Sequence, residues 1–239
     1  MRPRALVTGG AARVGRAIAL ELARSGCDVA VHHNRTPVDD VLDECRALGA
    51  DAWEVSADLG DVAGCEQVVA AVRERWSDLR ILVNNASAFE PVPFADITAE
   101  AWDRMQAINV RAPFLLSRGL LPELQRGGGV VVHLCDIGAD RPISGYAHYS
   151  VSKAGLVMLV KAMAVELAPA VRTVGISPGQ VAWPADYDDA LREKLTRRIP
   201  LHRAGSPEDV AVLARFLALE APYLNGVVVP VDGGLSCRY

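Results

Sequence analysis

Short apolar runs alternate with helix-length amphipathic segments from one end of this sequence to the other, and few folds accommodate that rhythm. The apolar runs fall at residues 4–8, 28–33, 52–56, 80–84, 129–135, 171–177 and 227–230. Each is short and mostly Val, Leu, Ile or Ala, the pattern of a strand buried on both faces of a parallel sheet. The amphipathic segments predict helices near 14–25, 38–48, 62–76, 99–124, 150–168 and 207–218, with a further helical piece near 186–197. Strands joined through helices make right-handed crossovers. The expected fold is therefore α/β, a doubly wound parallel sheet of about seven strands with helices on both faces.

Composition narrows the possibilities. The chain has 239 residues, 51% of them hydrophobic, enough for one domain with a sizeable core. No repeat, low-complexity tract or linker interrupts it, so residues 1–239 are expected to form a single Rossmann-like domain. Twenty-five basic residues against 29 acidic ones leave no electropositive excess, which argues against a nucleic-acid partner. No apolar run reaches the ~18 residues needed to cross a bilayer. Met1-Arg2-Pro3-Arg4 leads straight into an apolar strand without a signal-peptide hydrophobic region. Five scattered cysteines without paired spacing suit reduced thiols, and the expected location is cytoplasmic, with no membrane and no metal.

In a doubly wound sheet the ligand lies beyond the carboxyl ends of the strands. Those ends read Thr8 to Gly15, His32 to Thr36, Ala57-Asp58-Leu59, Asn84 to Phe89, Cys135-Asp136 and Ser177 to Gln180. The first is a glycine-rich turn into a helix, where backbone amides can approach a pyrophosphate. Its glycines, Gly9, Gly10 and Gly15, do not follow the usual G-x-G-x-x-G spacing. Arg13 in that turn either reaches the phosphates or points to solvent. The second strand end carries Asn34-Arg35-Thr36 and no acid; Asp39 and Asp40 come later. An acid there would hold the ribose hydroxyls of NAD, whereas an Arg accommodates a 2′-phosphate through paired hydrogen bonds. Arg35 either serves as that anchor or stands as a solvated cation; the expected cofactor is NADPH rather than NADH.

Tyr149 and Lys153 are four residues apart, on one face of a predicted helix. An ordinary tyrosine has a pKa of about 10, and a neighbouring ammonium moves it toward neutrality, making a usable proton donor or base. Tyr146, by contrast, has Ser150 four residues on and is expected to line the pocket or pack. Asp136 stands thirteen residues before Tyr149. A carboxylate aimed at a developing oxyanion would repel it, so Asp136 suits a reduced C=N better than a ketone: a carboxyl can give a proton to nitrogen or accept from ring N–H groups. Alternatively, Asp136 caps a turn after the fifth strand. Asn109 either serves the site or caps or kinks the long fourth helix. Phe89 can cover a flat ring or plug the core, and Trp183 can face the substrate or pack its lid.

Thr8-Gly9 with Gly15, Asn84-Asn85-Ala86, Asn109, Tyr149-x-x-x-Lys153 and Pro178-Gly179 together resemble the short-chain dehydrogenase/reductase family, over essentially the whole chain. A narrower resemblance, to the pteridine reductases of that family, rests on five features. They are Arg13, the run His32 to Thr36, Asn84 to Phe89, Gly145-Tyr146-Ala147-His148-Tyr149, and Asp136 in place of a serine. It departs from the pattern at Asn34, where a His is usual, and in a shorter substrate segment at about 180–205. The resemblance implies NADPH-dependent reduction of a dihydropterin, or a related pterin or folate, to the tetrahydro form. It implies cofactor contacts from Gly9, Arg13, Val14, Asn34, Arg35, Thr36, Asp58, Leu59, Asn85, Ala86, Tyr149, Lys153, Pro178 and Gly179. It further implies substrate contacts from Arg13, Ser87, Phe89, Asp136, Tyr149 and Trp183. Lys153 would bond the nicotinamide ribose, and Asn109 would hold a water linking Lys153 to solvent. A homotetramer is implied as well, with Arg238 the candidate to approach a neighbour's site. A carbonyl reductase acting on 3-oxoacyl thioesters is the alternative, and a non-catalytic NADPH sensor a third reading.

Overall fold

A computed structural model describes residues 2–183 and 187–238. Its strands are β1 (Arg4–Val7), β2 (Asp28–His33), β3 (Ala52–Ser56), β4 (Ile81–Asn84), β5 (Val130–Leu134), β6 (Arg172–Pro178) and β7 (Val228–Val231). They form one 7-stranded sheet in the order β3-β2-β1-β4-β5-β6-β7, with every neighbouring pair parallel. The expected α/β doubly wound architecture is the observed one.

The register explains why the strands read as unbroken apolar runs. Leu6 lies between Ala30 and Leu82 and joins the core on one face. Val7, the next residue, lies between Val31 and Val83 and joins the core on the other. Both faces are covered, so neither parity of side chain can be polar. One layer is built by α1 (Arg13–Arg24), α2 (Asp39–Ala47) and α9 (Pro207–Leu219), whose Ile18, Val41 and Val210 share a core with Val7. The other includes α3 (Val62–Arg75) and α5 (Ala112–Gly119), whose Val68 and Leu116 pack with Leu6.

The single long helix expected over 99–124 is broken into pieces: α4 (Ala99–Gln106), a π-helical turn (Ala107–Arg111), α5, and α6 (Leu121–Gly127). The breaks follow from proline. Pro113 and Pro122 sit in the first turns of α5 and α6, and proline has no N–H for the carbonyl four residues back. The carbonyl deprived by Pro113 is that of Asn109, inside the π turn, and such turns recur at functional sites. Two further helices, α7 (Ala147–Glu166) and α8 (Asp189–Thr196), complete the set. The former starts earlier than the expected residue 150, so Tyr149 lies in its first turn. No helix among the described residues is long and apolar enough to cross a membrane.

Candidate active site

The carboxyl edge of the sheet opens into a cavity of about 1170 Å³. It adjoins a smaller one of about 350 Å³ over the ends of β2 and β3. Gly9, Ala12, Ala86, Ser87 and Phe89 line both, so the two form one groove along the strand ends.

The glycine turn is fixed by close backbone approach. A Cβ on Gly15 would stand 2.1 Å from the carbonyl oxygen of Gly9, and Gly9 itself has φ +61°. The Asn85 side chain donates to the carbonyls of Thr8 and Gly9 at 2.8 and 3.1 Å, while the Thr8 hydroxyl accepts from the amides of Asn85 and Ala86 at 2.9 and 3.0 Å. Ala12 precedes α1 without a side-chain cap, which leaves the first-turn amides of α1 facing the groove. An elongated dinucleotide with its pyrophosphate at this turn fits that arrangement.

His32, absent from the sequence-derived site, is part of this machinery. Its Nδ1 accepts from the Gly9 amide at 3.1 Å, and its Nε2 lies 3.1 Å from the Ala57 carbonyl, so the neutral ring carries its proton on Nε2. Burial pushes its pKa down to about 4 and holds that neutral form. The signal was available: His32 opens the strand-end run His32 to Thr36.

Of the expected cofactor residues, Gly9, Arg13, Val14, Asn85, Ala86, Tyr149, Lys153, Pro178 and Gly179 line the larger cavity. Asn34, Thr36, Asp58 and Leu59 line the smaller one. Arg35 does not line either; it is exposed between Asn34 and Thr36, with no acid at the strand tip. Arg13 has φ +51°, in the left-handed region that favours glycine, and its Nη2 donates to the Ala182 carbonyl at 3.0 Å.

At the floor, Tyr149 donates to Oδ2 of Asp136 at 2.8 Å, and the Gly138 amide donates to Oδ1 at 2.6 Å. Oδ1 thus caps the turn after β5, as one reading of Asp136 expects, and Oδ2 meets Tyr149. Lys153 is buried, donates to the Leu134 carbonyl at 2.8 Å, and has its Nζ 5.6 Å from the centre of the Tyr149 ring. Burial pushes the Lys153 ammonium below its ordinary value and the Asp136 carboxyl above its own. The expected lowering of Tyr149 by Lys153 is not found. Burial, and after it the Asp136 charge and hydrogen bond, raise the phenol well above its ordinary value. Tyr149 is thus held as a neutral acid in this arrangement.

The Asn109 side chain is fully occupied. It donates to Ala88 O and to Ser152 Oγ at 3.1 and 2.9 Å, and it accepts from the Ala88 amide and the Ser87 hydroxyl at 2.8 and 3.1 Å. It fastens the segment after β4 to α7. Ser152, next to Lys153, was missed by sequence reasoning.

Phe89 is 39% exposed, stacks on Tyr146 with ring centres 4.4 Å apart, and makes a T-shaped contact with Tyr149 at 4.8 Å. Tyr146 is buried with Met105 and Tyr149 and packs rather than lining the cavity. Trp183 does not line the cavity either. It lies 6.3 Å from Tyr187, and Tyr187 takes the wall position expected of it. Arg238 lines the cavity of its own chain, where Arg141 donates to its carbonyl at 2.9 Å. Cys135 also faces the cavity, with its thiol pushed up to about 12 by burial, which removes it as a nucleophile.

Known proteins agree with this geometry. A family model described as enoyl-(acyl carrier protein) reductase matches residues 9–236. The chain is 35% identical to 2,5-dichloro-2,5-cyclohexadiene-1,4-diol dehydrogenase LinX of Sphingobium indicum, over 97% of this chain and 95% of that one. It is 34% identical to human dehydrogenase/reductase SDR family member 4, over 98% and 87%. The solved acetoin dehydrogenase of Enterobacter cloacae superposes with a TM-score of 0.92 at 29% identity, covering 100% of this chain and 97% of the other. With a family model matching residues 9–236 and relatives 34–35% identical over nearly its whole length, the chain belongs to the short-chain dehydrogenase/reductase family, oxidoreductases that use a nicotinamide cofactor.

Proposed function

We propose that this enzyme reduces a ring C=N of a dihydropterin, or a related pterin or folate, to the tetrahydro form with NADPH. The observation that carries the reading is the Tyr149 hydroxyl bound to Oδ2 of Asp136 at 2.8 Å. The cofactor supplies a hydride to carbon. The chain's residues must then deliver a proton to the adjacent nitrogen, which grows basic as the C=N electrons settle on it. Asp136 keeps Tyr149 protonated until that moment and offers an acceptor to neighbouring ring N–H groups. Once the proton has left, the Lys153 ammonium offsets the phenolate charge. Phe89 supplies an exposed ring against which a flat heterocycle can stack. Preference for the 2′-phosphorylated cofactor rests on Arg35 and on the lack of an acid beside it.

A second reading, an alcohol–carbonyl couple, is supported by the names of the relatives, one a diol dehydrogenase and another an acetoin dehydrogenase. Consumption of NADPH and of NADH is measured against dihydrobiopterin, dihydrofolate, acetoin and acetoacetyl-CoA. Turnover of the dihydropterins, lost in Asp136→Ser, supports the first reading. Turnover confined to the carbonyl compounds overturns it.

A further inference from the structure

The wall of the larger cavity carries an imbalance of charge that the chain as a whole does not. The protein's formal charge is −4, yet Arg13, Arg141, Arg198, Arg238 and Lys153 line this cavity against Asp136 alone among the described residues. Asp136 sits at the floor and is committed to Tyr149 and Gly138. Arg13 belongs to the glycine turn, which leaves three arginines at the substrate side.

Those three are brought together by the fold from distant parts of the chain. Asp232 accepts from the Gly234 and Ser236 amides at 2.9 and 2.6 Å and so fixes the turn that carries the tail to Arg238. The Arg238 guanidinium donates to the carbonyls of Arg197 and Arg198 at 3.2 and 3.0 Å, just past α8. Arg141, from the loop after β5, donates to the carbonyl of Arg238 at 2.9 Å. These bonds use backbone oxygens only. None of the three guanidinium groups has an ion-pair partner among the described residues, whereas Arg192, Arg197 and Arg203, close to Arg198 in the chain, each have one. A guanidinium has five donors, so each retains N–H groups for a ligand. Three like charges gathered without a counter-charge repel one another, and an anion relieves that repulsion.

We propose that Arg141, Arg198 and Arg238 form a binding subsite for the anionic end of the substrate. The natural substrate then carries carboxylates or a phosphate at the end remote from the bond being reduced. Among dihydropterins this selects an acidic side chain over a neutral one. The inference rests on the dihydropterin reading only for its first set of probes, because the same subsite would serve an anionic carbonyl substrate.

Steady-state kinetics on dihydrofolate (carboxylate tail), dihydroneopterin triphosphate (phosphate tail) and dihydrobiopterin (neutral tail) test it and separate the two sources of charge. The ratio of KM for an anionic probe to KM for the neutral one is expected to rise about tenfold in Arg198→Glu, the size of one or two partly screened charge contacts. Arg141→Glu serves as a second variant, with circular dichroism confirming that each remains folded. In the unaltered enzyme, raising the salt concentration should increase KM for the anionic probes more than for the neutral one. If no dihydropterin is turned over, the dihydropterin reading fails, and acetoacetyl-CoA against its neutral N-acetylcysteamine analogue carries the same comparison. Ratios unmoved by charge reversal and by salt, in whichever pair is turned over, overturn the subsite.

Discussion

The Tyr149 hydroxyl donates a hydrogen bond to Oδ2 of Asp136 at 2.8 Å, while Oδ1 of the same carboxyl group accepts from the Gly138 amide at 2.6 Å. The carboxyl group just past β5 therefore adds to burial in holding the phenol of the helix residue beside it protonated. Replacing Tyr149 by Phe removes the transferable proton and leaves the ring packing on Phe89 and Met105. We expect kcat to fall by about 10²–10⁴, the usual worth of a positioned acid. Cofactor affinity, read by fluorescence titration, should change little. A Phe variant with more than a tenth of the parent rate would remove Tyr149 from the proton-transfer role.

Asp136 makes stability depend on pH in a definite sense. Burial raises its pKa in the folded chain, so the folded state holds the proton more tightly than the unfolded one. Stability is then greatest below the unfolded pKa and is lost as pH rises through the folded value. Asp136→Asn abolishes that loss while retaining an oxygen acceptor for Tyr149 or Gly138. The variant should melt higher than the parent at neutral pH, with the gap closing toward low pH. Thermal melts at a series of pH values decide it, and a gap independent of pH would speak against the assignment.

His133 and His32 act in the opposite sense. Burial lowers His133 to about 3 and His32 to about 4, both from 6.5. The unfolded chain takes up protons that the folded rings refuse. Stability present above pH 6.5 is therefore lost as pH falls toward those values, at up to about 1.4 kcal/mol per pH unit for each ring. Urea unfolding followed from pH 7 to pH 5 should show this fall. His133→Leu should flatten it, and an unchanged slope in that variant would be a failure of the prediction.

Gly15 tolerates nothing larger. The Cβ of an alanine would meet the Gly9 carbonyl oxygen at 2.1 Å and the Asn85 side-chain nitrogen at 2.5 Å, and the first of these is backbone that cannot swing aside. Gly15→Ala should therefore weaken cofactor binding by at least about tenfold, a 1.4 kcal/mol displacement of the turn. Titration of the purified variant with NADPH provides the measurement, and parent-like affinity would show that the turn can relax.

Arg35 tests the choice of cofactor. Exposed just past β2, it would give a bound 2′-phosphate a partly screened contact. Arg35→Ala should lower kcat/KM for NADPH by roughly threefold to tenfold and leave that for NADH nearly unchanged. Equal losses with both cofactors would indicate a structural effect instead.

The sheet was legible because burial on both faces writes itself into consecutive residues, as at Leu6 and Val7. The broken fourth helix was less so. Its apolar pattern runs on, and only Pro113 and Pro122 mark the breaks that the backbone makes. Within the site, spacing along α7 correctly paired Tyr149 with Lys153 but could not rank Lys153 against Asp136. That ranking depends on a hydrogen bond across thirteen residues and on burial. Trp183 and Tyr187 illustrate the same limit. Both are aromatic, they lie in one segment, and only the folded chain determines which of them faces the cavity. Arg141, Arg198 and Arg238 are so far apart in sequence that no local pattern joins them.

Arg13 leaves the glycine turn and bonds the Ala182 carbonyl, 169 residues away, in the loop that follows β6. The phosphate end of the groove and the substrate end are thereby fastened by one side chain. Linkage makes the relation reciprocal: whatever factor the position of that loop imposes on cofactor affinity, the bound cofactor imposes on substrate affinity. A substrate that moved that loop would then change cofactor affinity by the same factor by which the cofactor changes substrate affinity, with the Arg13–Ala182 bond as the link between them.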